Sequence, residues 1–130
     1  MTDAEMLDML VEYMGKGFLE NIVALVRQEP DAARFIPEMI RRENLGVRLG
    51  TTALVEELAR TDRVILRAAV PGLIGLLDDE NPTVRGDAAS LLGTIGDGSA
   101  RPALEELLTD ANDAVRMLAQ MALEELGGKV

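Results

Sequence analysis

Val70-Pro71-Gly72-Leu73-Ile74-Gly75-Leu76-Leu77-Asp78-Asp79, continuing Glu80-Asn81-Pro82-Thr83-Val84-Arg85, decides the fold, because the chain repeats it. Arg101-Pro102-Ala103-Leu104-Glu105-Glu106-Leu107-Leu108-Thr109-Asp110, continuing Ala111-Asn112-Asp113-Ala114-Val115-Arg116, aligns with it without a gap at an offset of 31 residues. Pro71 meets Pro102, Leu73 meets Leu104, and Leu76-Leu77 meet Leu107-Leu108. Asp79 meets Asp110, and Val84-Arg85 meet Val115-Arg116. The echo runs on through Ala88 and Ala119, Leu92 and Leu123, and Gly96 and Gly127. Such a period marks units that cannot bury an apolar face alone and must stack on one another.

Each copy reads as two helices. A proline near the start suits a first helical turn, where its missing N–H is not needed. Leu73, Leu76 and Leu77 recur at helical spacing, and Asp78-Asp79-Glu80-Asn81-Pro82 is a turn. Asn81 is placed to cap a second helix with Pro82 at its first position. Val84, Ala88, Leu91, Leu92 and Ile95 form that helix's apolar stripe, and Gly96-Asp97-Gly98 ends it. Ser99 or Asp97 caps the next helix. A degraded third copy lies upstream, with Pro37, Val47-Arg48, Leu54-Val55 and Leu58 at corresponding places and Thr51 where Ala88 stands. Residues 1–30 are out of register. Thr2 with Glu5 resembles a capping box opening a helix to about Met14. Gly15-Lys16-Gly17 breaks that helix, a second runs from about Phe18 to Gln28, and Pro30-Asp31 opens another. One domain is expected over 1–130: a divergent hairpin (1–30), a degraded repeat (31–62) and two good repeats (63–98 and 99–128).

The pattern of residues 69–127 resembles HEAT-like repeats, specifically the short kind found in phycobilisome lyases. The resemblance rests on Pro71…Leu77-Asp78-Asp79…Val84-Arg85-Gly86-Asp87-Ala88 and on Pro102…Leu108-Thr109-Asp110…Val115-Arg116-Met117-Leu118-Ala119. It implies an all-α fold, a right-handed α-α superhelix (HEAT-like solenoid) of about four helix pairs. It also implies a structural ladder in which Asp79 with Arg85, and Asp110 with Arg116, tie neighbouring turns together. An arginine fork can bridge a turn acid and loop carbonyls, so the physics agrees. Such repeats serve as adaptors, regulators and enzyme subunits alike, so the motif specifies fold more than function.

Composition narrows the function. There is no cysteine and no histidine, so disulfides, thiolate sites and the commonest general base and metal ligand are all missing. A nucleophile–base triad cannot be built, and the His-Glu iron ligands that HEAT-type hydroxylases need cannot be supplied. Glu56-Glu57, Glu105-Glu106 and Glu124-Glu125 read as solvated faces rather than catalytic pairs. The acidic turns 78–81 and 110–113 lack the sixth-position glycine and closing glutamate of a calcium loop. No catalytic, metal-binding or cofactor-binding residue is assigned. The net charge of −10 and the scarcity of aromatics disfavour nucleic acid and anionic membranes. Seven arginines between Arg34 and Arg67 form a mildly basic window. Acids stand where a signal peptide needs basic residues, and no apolar run reaches membrane-spanning length, so a soluble cytoplasmic protein is expected.

What remains is a protein partner. In stacked helix pairs the second helices line a groove. On the middle repeat that face carries Thr83, Asp87, Ser90 and Thr94; on the last, Ala114, Leu118, Met121 and Glu125, with Met117 adjacent. Large apolar side chains thus replace polar ones, and flexible methionines suit adaptable contacts. Asp87, Ser90, Met117, Leu118 and Met121 are the candidate partner-binding residues of a small adaptor or regulatory protein. Three alternatives stand beside that reading. Met117, Leu118 and Met121 could be end-cap packing, with Gln120 in place of Ala89 as its polar rim. They could form a homodimer seam. The chain could also be an accessory subunit of a cofactor-attaching, bilin-lyase-like enzyme.

Overall fold

The computed structural model describes residues 1–127; the expected close of the last repeat at 128 lies outside the described residues. Every regular element among them is helical. The chain forms two compact units, Met1–Ala69 and a second beginning at Val70, so the division falls inside the stretch read as the repeat 63–98.

The first unit opens with α1 (Asp3–Gly15) and α2 (Leu19–Gln28). The capping box at Thr2 is formed: its hydroxyl accepts the Glu5 N–H at 3.1 Å, and its own N–H donates to the Glu5 carboxylate at 2.9 Å. Pro30 does not open an α-helix directly. A 3₁₀ turn, Pro30–Phe35, leads into the short α3 (Ile36–Ile40). Pro37, at the second position of α3, has no N–H to donate to the carbonyl four residues back, so an α-type bond cannot tie the lead-in to α3 at that point, while Ile36 itself is helical. Next comes α4 (Leu45–Thr61), capped by Asn44, whose side-chain oxygen accepts the Val47 N–H at 3.0 Å. Thr51, which replaces the repeat's alanine, is fully buried, and its hydroxyl donates to the Val47 carbonyl at 2.7 Å. That internal bond removes the cost of a buried hydroxyl. α1, α2 and α3 all pack on α4. A second 3₁₀ turn, Arg63–Ala69, closes the unit.

The second unit is the echo in three dimensions: α5 (Val70–Leu76) with α6 (Pro82–Ile95), then α7 (Arg101–Glu106) with α8 (Asp113–Gly127). Asn81 caps α6 by accepting the Thr83 N–H at 2.9 Å, and Asn112 caps α8 by accepting the Val115 N–H at 3.1 Å. Gly96 ends α6 at φ +78°, a left-handed conformation that side chains resist. Neither residue offered as the next cap serves α7 itself: Asp97 caps a 3₁₀ turn, Gly98–Ala100, that precedes it, accepting the Ser99 N–H at 2.9 Å, and α7 follows from Ala100 without a side-chain cap. Val84, Ala88, Leu91, Leu92 and Ile95 are all buried, as are Val115, Ala119, Ala122 and Leu126 on α8.

α6 and α8 pack side by side, and the glycines of α6 set how closely. A Cβ built on Gly93 would stand 2.8 Å from the Cα of Ala122, backbone that cannot easily yield. One built on Gly86 would crowd the δ-methyl of Leu118, also at 2.8 Å, with the γ-methyl of Val115 at an ordinary 4.0 Å, and a flexible side-chain end can turn away. Gly93→Ala should therefore lower stability by about 1–3 kcal/mol, the usual cost of overpacking. Gly86→Ala should be near neutral, since alanine returns roughly 0.5–1 kcal/mol of helix preference. Parallel urea denaturation measures both, and equal losses would contradict the distinction.

Candidate functional site

The five candidate partner-binding residues do not form one patch. Asp87 and Leu118 share a shallow hollow of about 240 Å³ at the N-terminal ends of α6 and α8, with Gly86 in its lining. Both are half-buried, and Leu118 leans on Gly86. Ser90 is half-buried on α6, where its carbonyl accepts the Thr94 hydroxyl at 3.1 Å. Met117 and Met121 lie outside the hollow, 57% and 51% exposed. The 31-residue register gives the reason. Gly86 and Gly93, which face α8, align with Met117 and Glu124. Met117 thus occupies the side of α8 that α6 uses to receive its neighbour, and Met121 lies one turn further on the same side. Gln120, also on this side, donates to Glu124 at 3.2 Å.

The ladder residues are placed by hydrogen bonds. The guanidinium of Arg85 donates twice to the carboxylate of Asp110, from Nε at 2.8 Å and from Nη2 at 3.0 Å. Its remaining nitrogen, Nη1, donates to the carbonyls of Asp79 at 2.8 Å and Glu80 at 3.2 Å. One side chain thus clamps its own turn to the turn of the following repeat. Arg116 repeats half of this, donating to the Asp110 carbonyl at 2.6 Å, while its other nitrogen pairs with Asp113 on α8. The Asp79 carboxylate accepts the Asn81 N–H at 3.2 Å. The Arg85–Asp110 pair is 16% and 11% exposed, far drier than an ordinary surface pair. The Arg85 fork, helped by the Asn112 N–H, holds the Asp110 carboxyl below its usual range.

At least three of the seven arginines in the basic window between Arg34 and Arg67 pair with nearby acids. Arg34 pairs with Asp31 and Asp3, both at 2.8 Å, and lies over the Phe35 ring. Arg41 pairs with Glu38 at 3.3 Å and Arg60 with Glu57 at 2.6 Å. Sequence reasoning missed a furrow of about 710 Å³ between α2 and α4. It read Glu56-Glu57 only as a solvated face, and α2 lies outside the repeat register that would have paired the two helices. Among the described residues no three acids converge as metal ligands, and no helix is long and apolar enough to cross a membrane.

Paired short and long helices, glycine-spaced second helices and an arginine clamp between turns define a helix-pair repeat protein. Residues 51–124 match the HEAT repeats family, and the chain belongs to it. Deoxyhypusine hydroxylase of Gallus gallus is 29% identical over 125 residues, which cover 82% of this chain and 42% of that protein. The chain therefore spans less than half the length of this relative. A designed armadillo repeat protein is 24% identical, with a TM-score of 0.47 over 73% of this chain and 47% of its own.

The lowered carboxyl of Asp110 makes stability depend on pH. A carboxyl with a depressed folded-state pKa stabilises above its unfolded value, and that contribution is lost as pH falls through the folded value. Asp110→Asn should be less stable than the parent at pH 7, and the gap should shrink only as pH falls below the ordinary aspartate range and through the lowered folded-state value, where the Asp110 carboxyl is also uncharged. Denaturation midpoints across that range test this; a gap independent of pH would show that the charge does not matter.

Proposed function

We propose that this chain is a small adaptor or regulatory protein that binds a protein partner through its second helices, with Asp87, Ser90, Met117, Leu118 and Met121 as contacts. HEAT repeats generally mediate protein–protein interaction, which supports the class of function. The single observation that carries the site is the exposure of Met117 and Met121, one turn apart on the outer side of α8. Adjacent exposed large apolar side chains mark contact surfaces, and methionine adapts to irregular partners. Asp87 and Leu118 lie apart from the methionines, in the hollow between α6 and α8, and would meet a separate part of the partner. Binding rather than oxidation is the proposed role. The hydroxylase activity named for the Gallus gallus relative finds little footing in a chain with no histidine.

Met117→Asp combined with Met121→Asp should leave the fold intact, because both side chains are already exposed. The pair should weaken partner binding at least about tenfold if these are anchor residues. Photo-crosslinkers installed at positions 117 and 121 should capture the partner, while one at exposed Glu105 should not. Sedimentation velocity across a concentration series separates a foreign partner from a second copy. Undiminished binding by a folded double variant would remove the proposal.

A further inference from the structure

The furrow between α2 and α4 carries chemistry of its own. Leu19, Val23 and Ala24 of α2 and Ala53 of α4 give it an apolar floor. The two helices run side by side in the same direction along it. Arg27, near the end of α2, reaches Thr61 at 2.7 Å and Asp62 at 2.9 Å at the end of α4. Leu19 and Ala53 line the other end. Two exposed apolar residues neighbour that end in the chain: Phe18, which precedes α2, is 46% exposed and meets the Tyr13 ring edge-on, and Leu49, one turn before Ala53, is 61% exposed.

Both cations on the furrow's rim are already engaged. Arg27 is held by Asp62 and Thr61, with Glu57 at 3.7 Å, and Arg60 by Glu57 at 2.6 Å. The rim acids Glu20 and Glu56 are exposed and have no ion pair among the described residues. The charge left for a visitor to meet is therefore negative, set beside an uncovered apolar floor. An acidic or purely polar segment gains nothing here. A segment combining large apolar side chains with lysine or arginine matches both features.

We infer that this furrow seats a short segment of a protein partner whose apolar side chains fill the floor and whose basic residues pair with Glu20 and Glu56. It is a second docking surface, separate from the methionine face of α8, and it gives an adaptor a place for a second partner. The occupant is a short extended or helical stretch laid along the furrow.

Panning a displayed library of random peptides on the full chain tests the inference. The enriched peptides should carry lysine or arginine next to leucine, isoleucine or phenylalanine. Fluorescence anisotropy with the best of them should show affinity falling about tenfold in Glu20→Gln/Glu56→Gln, a loss expected for two rim charge pairs. Glu105→Gln/Glu106→Gln removes the same formal charge from exposed positions on α7 and should change affinity less than about twofold, as screening predicts for distant charges. Met117→Asp/Met121→Asp should not weaken it, which keeps this result separate from the proposed function. No enrichment, enrichment of acidic peptides, or equal losses in the two Glu→Gln pairs would overturn the inference, the last by showing mere attraction to an acidic protein.

Discussion

The second unit depends on the contact between α6 and α8. Helices in contact usually keep axes about 8–10 Å apart, and small residues at the seam set the lower end. Gly93 facing the backbone of Ala122 leaves no room for a side chain. With that approach in place, Arg85 lies within reach of Asp110, 25 residues away in the chain, and forks onto it. The same guanidinium holds the carbonyls of Asp79 and Glu80, so closeness of the helices and order in the turns are one arrangement. A lysine could not substitute, because a point charge cannot make two parallel bonds to one carboxylate while satisfying loop carbonyls.

Equal register with unequal side chains generates the surface of α8. On α6, Gly86, Ala89 and Gly93 are buried, and both glycines face α8. At the aligned positions α8 presents Met117, Gln120 and Glu124, all exposed. Two methionines and a Gln–Glu hydrogen bond occupy a surface whose counterpart on α6 is made of the smallest residues. The repeat supplies the geometry, and the departures from the repeat supply whatever is distinctive about this chain.

The charge pattern follows similar logic. An acidic chain with few cations uses its arginines internally, on Asp3, Glu57, Asp62 and Asp110, where each ties one element to another or stiffens a helix. Acids therefore dominate what is left exposed, and their consequence depends on where they stand. Around solvated turns they aid solubility; beside the apolar floor between α2 and α4 they select for positive charge.

The helix pairs, the capping residues at Thr2 and Asn81 and the stop at Gly96 were legible in the sequence. Each is a local matter of backbone groups within a few residues of a short polar side chain or a glycine. The buried stripe of α6 was legible for a similar reason, since helical spacing places its members on one side wherever the helix goes. The 3₁₀ lead-in at Pro30 was not, because proline permits either kind of first turn, and the proline seven residues later tipped the balance. Nor could sequence alone say that Arg85 grips the following repeat's Asp110 rather than the Asp79 carboxylate of its own turn, since both acids suit an arginine equally. It grouped Met117, Leu118 and Met121 together, but helix rotation separates Leu118 against Gly86 from two methionines facing outward. The furrow between α2 and α4 shows the same limit: its floor and rim come from helices with no shared register, and only their packing in three dimensions brings Leu19 and Ala53 to one surface.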